Sequence, residues 1–306
     1  MSILIDESTR ILVLGITGRE AVSFTRDTLD YGGQVVAGVT PGRGGRDVHG
    51  VPVYDTVREA VGAHGADAAV IAVPPRALRD AAFECIAYGI PLVVIVTERV
   101  PRLDAAQVVE MAAREGVRVI GPNSMGLISP GKTKVGSVGG PAADTARSFV
   151  PGPVGIMSRS GGMTTEIASL LAQHGLGVST AISIGGDPIT GSSFASLLPL
   201  FEADPETEAV VTFSEPGGAM EAELVEVVQT RARSSRAPET GTGTRLRIVS
   251  FIAGNFMAEM PGVRFGHAGA LVQREADSAA AKASMLRAAG VHVADALAEI
   301  PSLVRG

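Results

Sequence analysis

Short apolar runs alternate with helical stretches through the first 130 residues, and this alternation restricts the fold more than any other feature of the sequence. The runs are continuously apolar, which is typical of strands buried on both faces of a parallel sheet. Strands are predicted at residues 10–14, 34–39, 68–73, 92–96 and 118–120. Helices are predicted between them, at residues 20–31, 57–63, 77–88 and 104–115. The pattern therefore predicts an α/β fold, with a doubly wound, Rossmann-like domain over residues 1–130.

A second alternating series follows a segment that is rich in Gly, Pro, Ser and Thr. That segment, residues 131–152, is predicted to connect two domains. Strands and helices are then predicted in turn through residues 153–306, which indicates a second, flavodoxin-like domain. Within this domain, residues 231–247 are polar and rich in Arg, Gly and Thr, and we interpret them as a solvated surface loop.

Composition argues against several classes of protein. The formal net charge is −6, whereas a dedicated nucleic-acid binder normally carries a basic field. With 45% hydrophobic and 19% charged residues, the chain has enough apolar side chains to form cores. The single cysteine, Cys85, has no intrachain partner for a disulfide and fits a reducing compartment. Since no apolar run is long enough to span a bilayer, we expect a cytoplasmic protein.

The turn after the first strand has the chemistry of a phosphate site. Gly15 and Gly18 let a phosphate approach the free N–H groups at the start of the next helix, although many α/β folds use such a turn only to reverse the chain. The second strand ends without the Asp or Glu that usually holds the ribose of NAD. Arg43 lies in the Gly-rich loop that follows, and an arginine suits a ribose phosphate. Both NADP and coenzyme A are therefore candidate ligands for this site.

Three motifs in the second half follow predicted strands, at the edge where open α/β sheets bind ligands. They begin at Ser158, Gly185 and Ser214. Farther along, His267 lies among very small residues that shield it little. Such a histidine is often an ordinary loop residue, but an imidazole beside a helix N-terminus can accept a phosphoryl group while a carboxylate such as Glu215 fixes its tautomer. Zinc is not indicated, because no second His or Cys lies nearby at ligand spacing.

Together these motifs resemble the α subunit of succinyl-CoA synthetase (succinate–CoA ligase, NDP-forming). The resemblance covers nearly the whole chain and is carried by residues 1–6, 15–18, 38–45, 96–98, 121–123, 158–161, 184–188, 215–218 and 266–270. It implies a CoA-binding, Rossmann-like domain followed by a ligase domain that carries a phosphohistidine. It also implies a partner, an ATP-grasp β subunit that supplies the site for Mg²⁺ and ATP or GTP, in agreement with the lack of a P-loop in this sequence.

The same resemblance assigns roles to individual residues. His267 is the phosphorylated residue and Glu215 is its hydrogen-bonding partner. The implied phosphate cradle contains Ser160, Gly161 and Gly162. The residues implied to contact CoA are Thr17, Gly18, Arg19, Glu20, Arg43, Val96, Thr97 and Glu98.

Some residues depart from the family pattern, mostly near the carboxylate substrate. Thr165 stands where the family has a Tyr beside that substrate, and Ser124-Met125 replaces a common Cys-Pro pair. Residues 273–276 replace a Gly-rich run that usually follows the Gly-His-Ala-Gly-Ala motif. We therefore expect a succinate–CoA ligase subunit, with malate or another dicarboxylate as the alternative acid. A non-catalytic CoA-binding or regulatory homologue is a further alternative.

Overall fold

Two seven-stranded sheets covered by helices form the architecture of the computed structural model. The structure describes residues 2–234, 244–259, 267, 270, 272 and 274–306. Residues 235–243, in the middle of the expected surface loop, lie outside the described residues. So do Gly266, Ala268, Gly269 and Gln273 from the motifs around His267.

The first sheet has the Rossmann strand order. Its strands are β1 (Arg10–Leu14), β2 (Gln34–Val39), β3 (Asp47–Val48), β4 (Val51–Tyr54), β5 (Ala68–Ile71), β6 (Leu92–Ile95) and β7 (Arg118–Ile120). Its helices are α1 (Arg19–Asp30), α2 (Val57–His64), α3 (Pro75–Ala87) and α4 (Arg102–Glu115). The strands lie in the order β3-β4-β2-β1-β5-β6-β7, and only β3 pairs antiparallel, with β4, among the described strands of this sheet. Counted along the chain, the parallel strands follow the order 3-2-1-4-5-6.

The second sheet has a flavodoxin-like centre. Its strands are β8 (Gly126–Ser129), β9 (Thr133–Val135), β10 (Pro151–Ser158), β11 (Val178–Ser183), β12 (Ala209–Ser214), β13 (Arg247–Ile252) and β14 (His292–Ala294). Its helices are α5 (Ala142–Ser148), α6 (Gly161–Gln173), α7 (Phe194–Ala203), α8 (Met220–Ser234), α9 (Ala279–Ala288) and α10 (Ile300–Arg305). The order is β14-β13-β12-β10-β11-β8-β9, so the five parallel strands follow the order 2-1-3-4-5. The predicted α/β class and both domain types are confirmed.

The sequence pattern does not predict four short strands. β3 has only two residues, and β4 alternates between buried and partly buried residues and contains Pro52, so neither has a strong strand signal. β8 and β9 extend the second sheet by antiparallel pairing with β11 and with each other. The segment 131–152, expected to be a connection, thus contains β9 and α5. The domain limits at residues 130 and 153 stay a prediction.

Burial on both sheet faces explains why the apolar runs are continuous. Every residue of β5, β6, β11 and β12 is buried. Helix α3 covers one face by turning Leu78, Ala82, Cys85 and Ile86 inward at helical spacing. Each large aliphatic side chain buried in this way contributes about 1.5–3 kcal/mol. Burial also raises the pKa of the Cys85 thiol, so the one cysteine is held in its unreactive form.

Backbone hydrogen bonds join the carboxyl ends of the two sheets. The N–H of Gly121, just after β7, donates to the carbonyl of Ile184, just after β11, at 2.9 Å. The N–H of Gly186 donates to the carbonyl of Asn123 at 3.2 Å, and the N–H of Asn123 donates to the carbonyl of Thr97 at 3.0 Å. The ligand-binding edges of both sheets therefore border the same space.

Candidate active site

The imidazole of His267 is paired with the carboxylate of Glu215, which follows β12 directly. Its Nδ1 lies 2.9 Å from Oε2 and 3.0 Å from Oε1 of Glu215. Because an ionised carboxylate only accepts hydrogen bonds, Nδ1 is the nitrogen that carries the proton. In the neutral ring the free lone pair is then on Nε2. The side chain of His267 is 27% exposed, so the pair offers a nucleophilic nitrogen on a partly accessible ring.

Nearby charges set the protonation of this ring. The hydrogen bond to Glu215 raises the pKa of His267, burial and the charge of Arg159 oppose that shift, and the charge of Asp187 adds to it. The net direction is upward, so the ring stays protonated to higher pH than a free histidine does. Nε2 is nucleophilic only above that raised pKa. Burial raises the pKa of Asp187 in turn, although its carboxylate accepts a 3.1 Å hydrogen bond from Asn123 Nδ2.

A glycine backbone packs against the face of the imidazole. A Cβ added at Gly186 would lie 2.5 Å from Cγ and Cδ2 of His267, a distance that no real Cβ contact reaches. Glycine is therefore the residue that lets this loop approach the ring. The contact restricts the ring on one side, while the bond to Glu215 fixes its rotation.

The N-terminus of α6 lies beside the same cavity. Ser160 caps the helix, because its hydroxyl oxygen accepts from the N–H of Met163 at 3.4 Å. The first N–H groups of a helix lack partners inside the helix and attract anions. An added Cβ at Gly161 would lie 2.3 Å from Cγ of Met125, whereas at Gly162 it would meet nothing within 4 Å. The helix end is thus packed on one side and open on the other.

One cavity, here called the interdomain cavity, extends from the N-terminus of α1 to His267 and has a volume of about 1030 Å³. Most of the residues implied by the family resemblance line it, namely Gly18, Arg19, Glu20, Val96, Thr97, Glu98, Ser160, Gly161, Gly162 and His267. Its volume lies at the upper end of the range for small-ligand pockets. It suits a long ligand with a phosphate at one helix N-terminus and its reactive end near the histidine.

The turn before α1 is shaped for close approach of a ligand. Gly15 has a φ of +80°, and a Cβ there would lie 2.5 Å from the carbonyl oxygen of Ala72. The N–H of Gly18 donates to the carbonyl of Gly15 at 2.8 Å, which tightens the turn. As the residue that precedes α1, Gly18 has no side chain with which to cap the helix. The first N–H groups of α1 are therefore available to a phosphate.

Comparisons with known proteins agree with this geometry. Residues 6–99 match the CoA binding domain family, and residues 157–292 match the CoA-ligase family. The α subunit 1 of succinate–CoA ligase (ADP-forming) from Archaeoglobus fulgidus is 41% identical over 305 residues, covering 100% of this chain and 98% of that protein. The α subunit of malate–CoA ligase from Methylorubrum extorquens is 42% identical, covering 96% of this chain and 94% of that protein. A subunit of ADP-forming sulfoacetate–CoA ligase from Bilophila wadsworthia is 38% identical, covering 100% and 99%.

The chain belongs to the succinate–CoA ligase α-subunit family. The match to the CoA binding domain favours coenzyme A over NADP as the ligand of the first domain. The fold extends beyond the family, since ATP citrate lyase from Methanothrix soehngenii, solved with citrate and coenzyme A, superposes with a TM-score of 0.88 at 25% identity. That superposition covers 99% of this α-subunit homologue and 50% of the lyase chain, so the chain spans about half the length of the solved structure.

Four of the described residues to which the family resemblance gives a role lie outside the lining of the interdomain cavity, namely Thr17, Arg43, Thr165 and Glu215. Glu215 is connected to the cavity through His267, which it contacts and which lines it. The hydroxyl of Thr17 donates to Oγ1 of Thr40 at 3.3 Å, which attaches the loop after β2 to the β1–α1 turn. Arg43 has an exposed side chain in that loop, and its backbone N–H donates to Oδ1 of Asp55 at 3.0 Å. Thr165 lies on α6 and is partly buried. The expected roles of Thr17, Arg43 and Thr165 in binding CoA and the acid stay predictions.

Several charged residues of this site have no role that the sequence predicts. Arg159 and Asp187 belong to motifs that the sequence singled out, but only the structure brings their charges close to His267. Lys282 and Glu221 lie in predicted helices, and nothing in the sequence distinguishes them from surface charges. Their burial, at 3% and 2% exposure of the side chains, is visible only in three dimensions.

Among the described residues, no group of three or more His, Cys, Asp or Glu lies close enough together to hold a metal ion. Within that same part of the chain, no helix is both long and apolar enough to cross a membrane.

Proposed function

We propose that this chain is the CoA-binding, phosphohistidine-carrying α subunit of an NDP-forming succinate–CoA ligase. The overall reaction is succinate + CoA + ATP or GTP ⇌ succinyl-CoA + ADP or GDP + phosphate. The observation that carries the proposal is the His267–Glu215 pair, whose imidazole borders the same cavity as two helix N-termini. A nitrogen nucleophile beside an anion-binding helix end is suited to carrying a phosphoryl group.

The reaction divides into three transfers. Nε2 of His267 bonds to the γ-phosphorus of the nucleotide, and the bond to the bridging oxygen breaks, which releases the nucleoside diphosphate. A carboxylate oxygen of succinate then attacks that phosphorus, which frees Nε2 and forms an acyl phosphate. Finally the CoA thiolate attacks the acyl carbon, and phosphate leaves. Each transfer joins an activated group to a nucleophile, which replaces one unfavourable condensation.

The residues of this chain hold the charges that these steps create. Glu215 keeps the proton on Nδ1, both before phosphorylation and in the phosphorylated ring. Ser160, Gly161 and Gly162 form the phosphate cradle, where the N-terminus of α6 stabilises the phosphoryl oxygens.

The CoA site of the proposal includes the residues of the first domain that border the interdomain cavity. Gly18, Arg19 and Glu20 bind a phosphate of CoA through the N-terminus of α1. Val96, Thr97 and Glu98 bind the remainder along the wall of the cavity. Thr17 and Arg43 act from the adjoining turn and loop, and Thr165 lies toward the acid. In this proposal the CoA-binding domain is residues 1–130 and the ligase domain is residues 153–306.

A partner subunit completes the proposed enzyme. The succinate and malate relatives are named as α subunits, and this chain has no nucleotide-binding P-loop of its own. We propose that an ATP-grasp β subunit supplies the site for the nucleotide and Mg²⁺. The cytoplasm is the proposed location, which fits a single cysteine kept as a buried thiol.

Phosphoryl labelling tests the proposal. The chain is mixed with its candidate β subunit and radiolabelled ATP or GTP, and we expect an acid-labile, base-stable phosphoprotein. His267→Ala should abolish the label and leave CoA affinity unchanged. The matched control is His174→Ala, which removes an exposed imidazole at the end of α6 and should keep the label. Label that survives in His267→Ala would contradict the mechanism. Absence of label with tight CoA binding would favour the non-catalytic, regulatory alternative.

Malate is the second candidate acid. The malate–CoA ligase relative is 42% identical and the succinate–CoA ligase relative 41%, so identity does not choose between them. Thr165, in place of the family's Tyr, favours a change near the acid. Discharge of the labelled chain with succinate, malate or sulfoacetate plus CoA identifies the acid by the fastest loss of label. Fastest discharge by malate would replace succinate in the proposal and leave the reaction type intact.

A further inference from the structure

Lysine is rare in this chain, and two of its lysines are buried. Of 26 basic residues only Lys132, Lys134 and Lys282 are lysine, the others being arginine. Lys134 is fully buried, and its Nζ donates to the carbonyl of Gly140. Lys282 is 3% exposed and lies beside the loop that carries the partner of the histidine. We define this loop, residues 215–218, as the Glu215 loop.

All three donors of the Lys282 ammonium have an acceptor. Nζ donates to the carbonyl of Glu215 at 3.1 Å and to the carbonyl of Gly217. It also donates to Oε2 of Glu221 at 2.6 Å. Two of the three bonds thus hold the backbone of the Glu215 loop on either side of Pro216.

Glu221 holds the ammonium in this position from the first turn of α8. Its side chain is 2% exposed, and within the described part of the chain its Oε1 has no hydrogen-bond partner. Burial lowers the pKa of Lys282, and the charge of Glu221 opposes that shift. A buried pair of this kind adds little net stability compared with apolar side chains of similar size, so its value must be sought elsewhere.

The start of α9 makes a further contact with the same loop. The N–H of Gly217 donates to the carbonyl of Asp277 at 2.9 Å, immediately before the N-cap of the helix at Ser278. The Glu215 loop is therefore held to α9 at two points, by a backbone bond and by the lysine. Glu215 is the residue of this loop that contacts His267.

We propose that Lys282, held by Glu221, is a positioning residue that fixes the Glu215 loop and thereby sets the carboxylate of Glu215 against Nδ1 of His267. The inference rests on the proposed function, in which that contact selects the reactive nitrogen. Arginine does not replace lysine here, because a planar guanidinium does not direct three donors from one atom to acceptors on three sides.

The test uses a variant that removes the lysine without leaving a buried charge. Lys282→Met alone strands the carboxylate of Glu221, and the loss of one partner is strongly destabilising. The double variant Glu221→Met with Lys282→Met removes one positive and one negative charge and keeps similar volumes. Its net charge is unchanged, and the groups that face His267, namely Glu215, Asp187 and Arg159, are retained. The matched control is Lys132→Met, at the turn between β8 and β9.

Two measurements are made on the full chain. Histidine NMR with selectively labelled imidazoles follows the titration of His267, identified by the signal missing in His267→Ala. Phosphorylation is followed as a single turnover in the complex with the β subunit. In the double variant we expect the pKa of His267 to fall toward the ordinary histidine value, and phosphorylation to slow by about 10²-fold, as for a small displacement of reacting groups. CoA affinity should not change, and Lys132→Met should behave as the wild type in every measurement.

A purely structural role predicts a different result. A folded double variant whose His267 titrates as in the wild type would overturn the inference, whatever its melting temperature. The NMR titration requires no turnover, so it tests the positioning role even when labelling fails. If the chain takes up no phosphoryl label but the pKa of His267 falls in the double variant, the two results are read separately. The fall of the pKa supports the positioning contact, and the missing phosphoryl label contradicts the proposed ligase activity. A wild-type titration of His267 in the single variant Lys282→Arg would contradict the requirement for lysine.

Discussion

The N-termini of α1 and α6 are similar structural elements that differ in their capping and their surroundings. Each follows a parallel strand, each is preceded by a Gly- or Ser-rich turn, and both border the interdomain cavity. α1 begins after Gly18, which has no side chain to cap it, and its first residues are exposed. α6 is capped by Ser160 and follows the buried Arg159, with His267 beside it.

The difference matches the two kinds of anion that the proposed reaction handles. An uncapped, exposed helix end suits a phosphate of a ligand that binds and leaves, since its N–H groups are not committed to a side chain. A capped end with a buried charge and a positioned imidazole suits a phosphoryl group held covalently for part of a cycle. Changes at one end should therefore affect CoA, and changes at the other should affect phosphorylation.

Glu215→Gln should give the largest difference between the effect on phosphorylation and the effect on CoA binding. The amide no longer forces the proton onto Nδ1, so phosphorylation of His267 should slow by about 10²- to 10⁴-fold. Since Glu215 raises the pKa of His267, its loss should lower that pKa. The rate, which rises with pH as the ring loses its proton, should then rise at lower pH than in the wild type. The measurement is single-turnover phosphorylation across pH, together with CoA binding by calorimetry.

Glu223→Gln is the matched control, because it changes an exposed glutamate on the first turn of α8. It should leave both the rate and its pH dependence unchanged. If Glu215→Gln phosphorylates at the wild-type rate with the wild-type pH profile, the pair with His267 has no part in the reaction.

The sequence alone predicts the strands and turns that precede these two helix ends. Continuous apolar runs identify the central strands of the first sheet, because burial on both faces favours apolar side chains. The turns that contain Gly15 and Ser160 are predictable for the same reason, since they follow such runs and precede helices. The approach of a glycine backbone to the imidazole is not predictable, because Gly186 and His267 are far apart in sequence and meet only when the sheet is complete.

Side-chain placement sets the limit of sequence reasoning at the site. Arg43 has the right chemistry for a phosphate, yet its side chain is exposed in a loop of which no residue lines the interdomain cavity. Lys282 has the sequence context of a surface helix, yet its ammonium is buried under the Glu215 loop. Both outcomes depend on how α/β units pack against one another, and no local pattern encodes that packing.

Arg19→Glu tests whether a phosphate of CoA binds at the N-terminus of α1. The residue is exposed, lines the cavity and begins α1, where an acidic side chain is compatible with the helix dipole. The fold should therefore be kept while a phosphate at this helix end is repelled. We expect CoA affinity to fall by about tenfold, which corresponds to about 1.4 kcal/mol. Calorimetry measures the affinity, and phosphorylation of His267 should proceed at the wild-type rate.

Arg26→Glu, on the exposed side of the same helix, controls for the general effect of charge on α1. It should bind CoA as the wild type does at physiological salt, where distant surface charges are screened. Equal weakening by both variants would mean that the effect is a long-range field and not a contact at the helix end.

Exchanging the N-cap residues of α1 and α6, by Gly18→Ser and Ser160→Gly, should have the smallest effect on CoA affinity. It is also the most direct test of the difference between the two helix ends. Gly18 has φ −74° and ψ 149°, a conformation open to serine, and an added Cβ would lie 3.2 Å from the carbonyl of Gly15. In Gly18→Ser the hydroxyl should accept from an N–H of the first turn, so a phosphate loses a donor and CoA should bind roughly threefold more weakly. The free energy of unfolding should change by only a few tenths of a kcal/mol, since glycine is itself a fair N-cap.

Ser160→Gly should cost a similar amount of stability without any change in CoA affinity. Gly62→Ser on α2 serves as the control for the substitution of glycine by serine. Calorimetry and thermal unfolding follow all three variants. Unchanged CoA affinity in Gly18→Ser would show that the ligand does not use the N–H groups that the serine occupies, and the contrast between the two helix ends would then lie in their side chains alone.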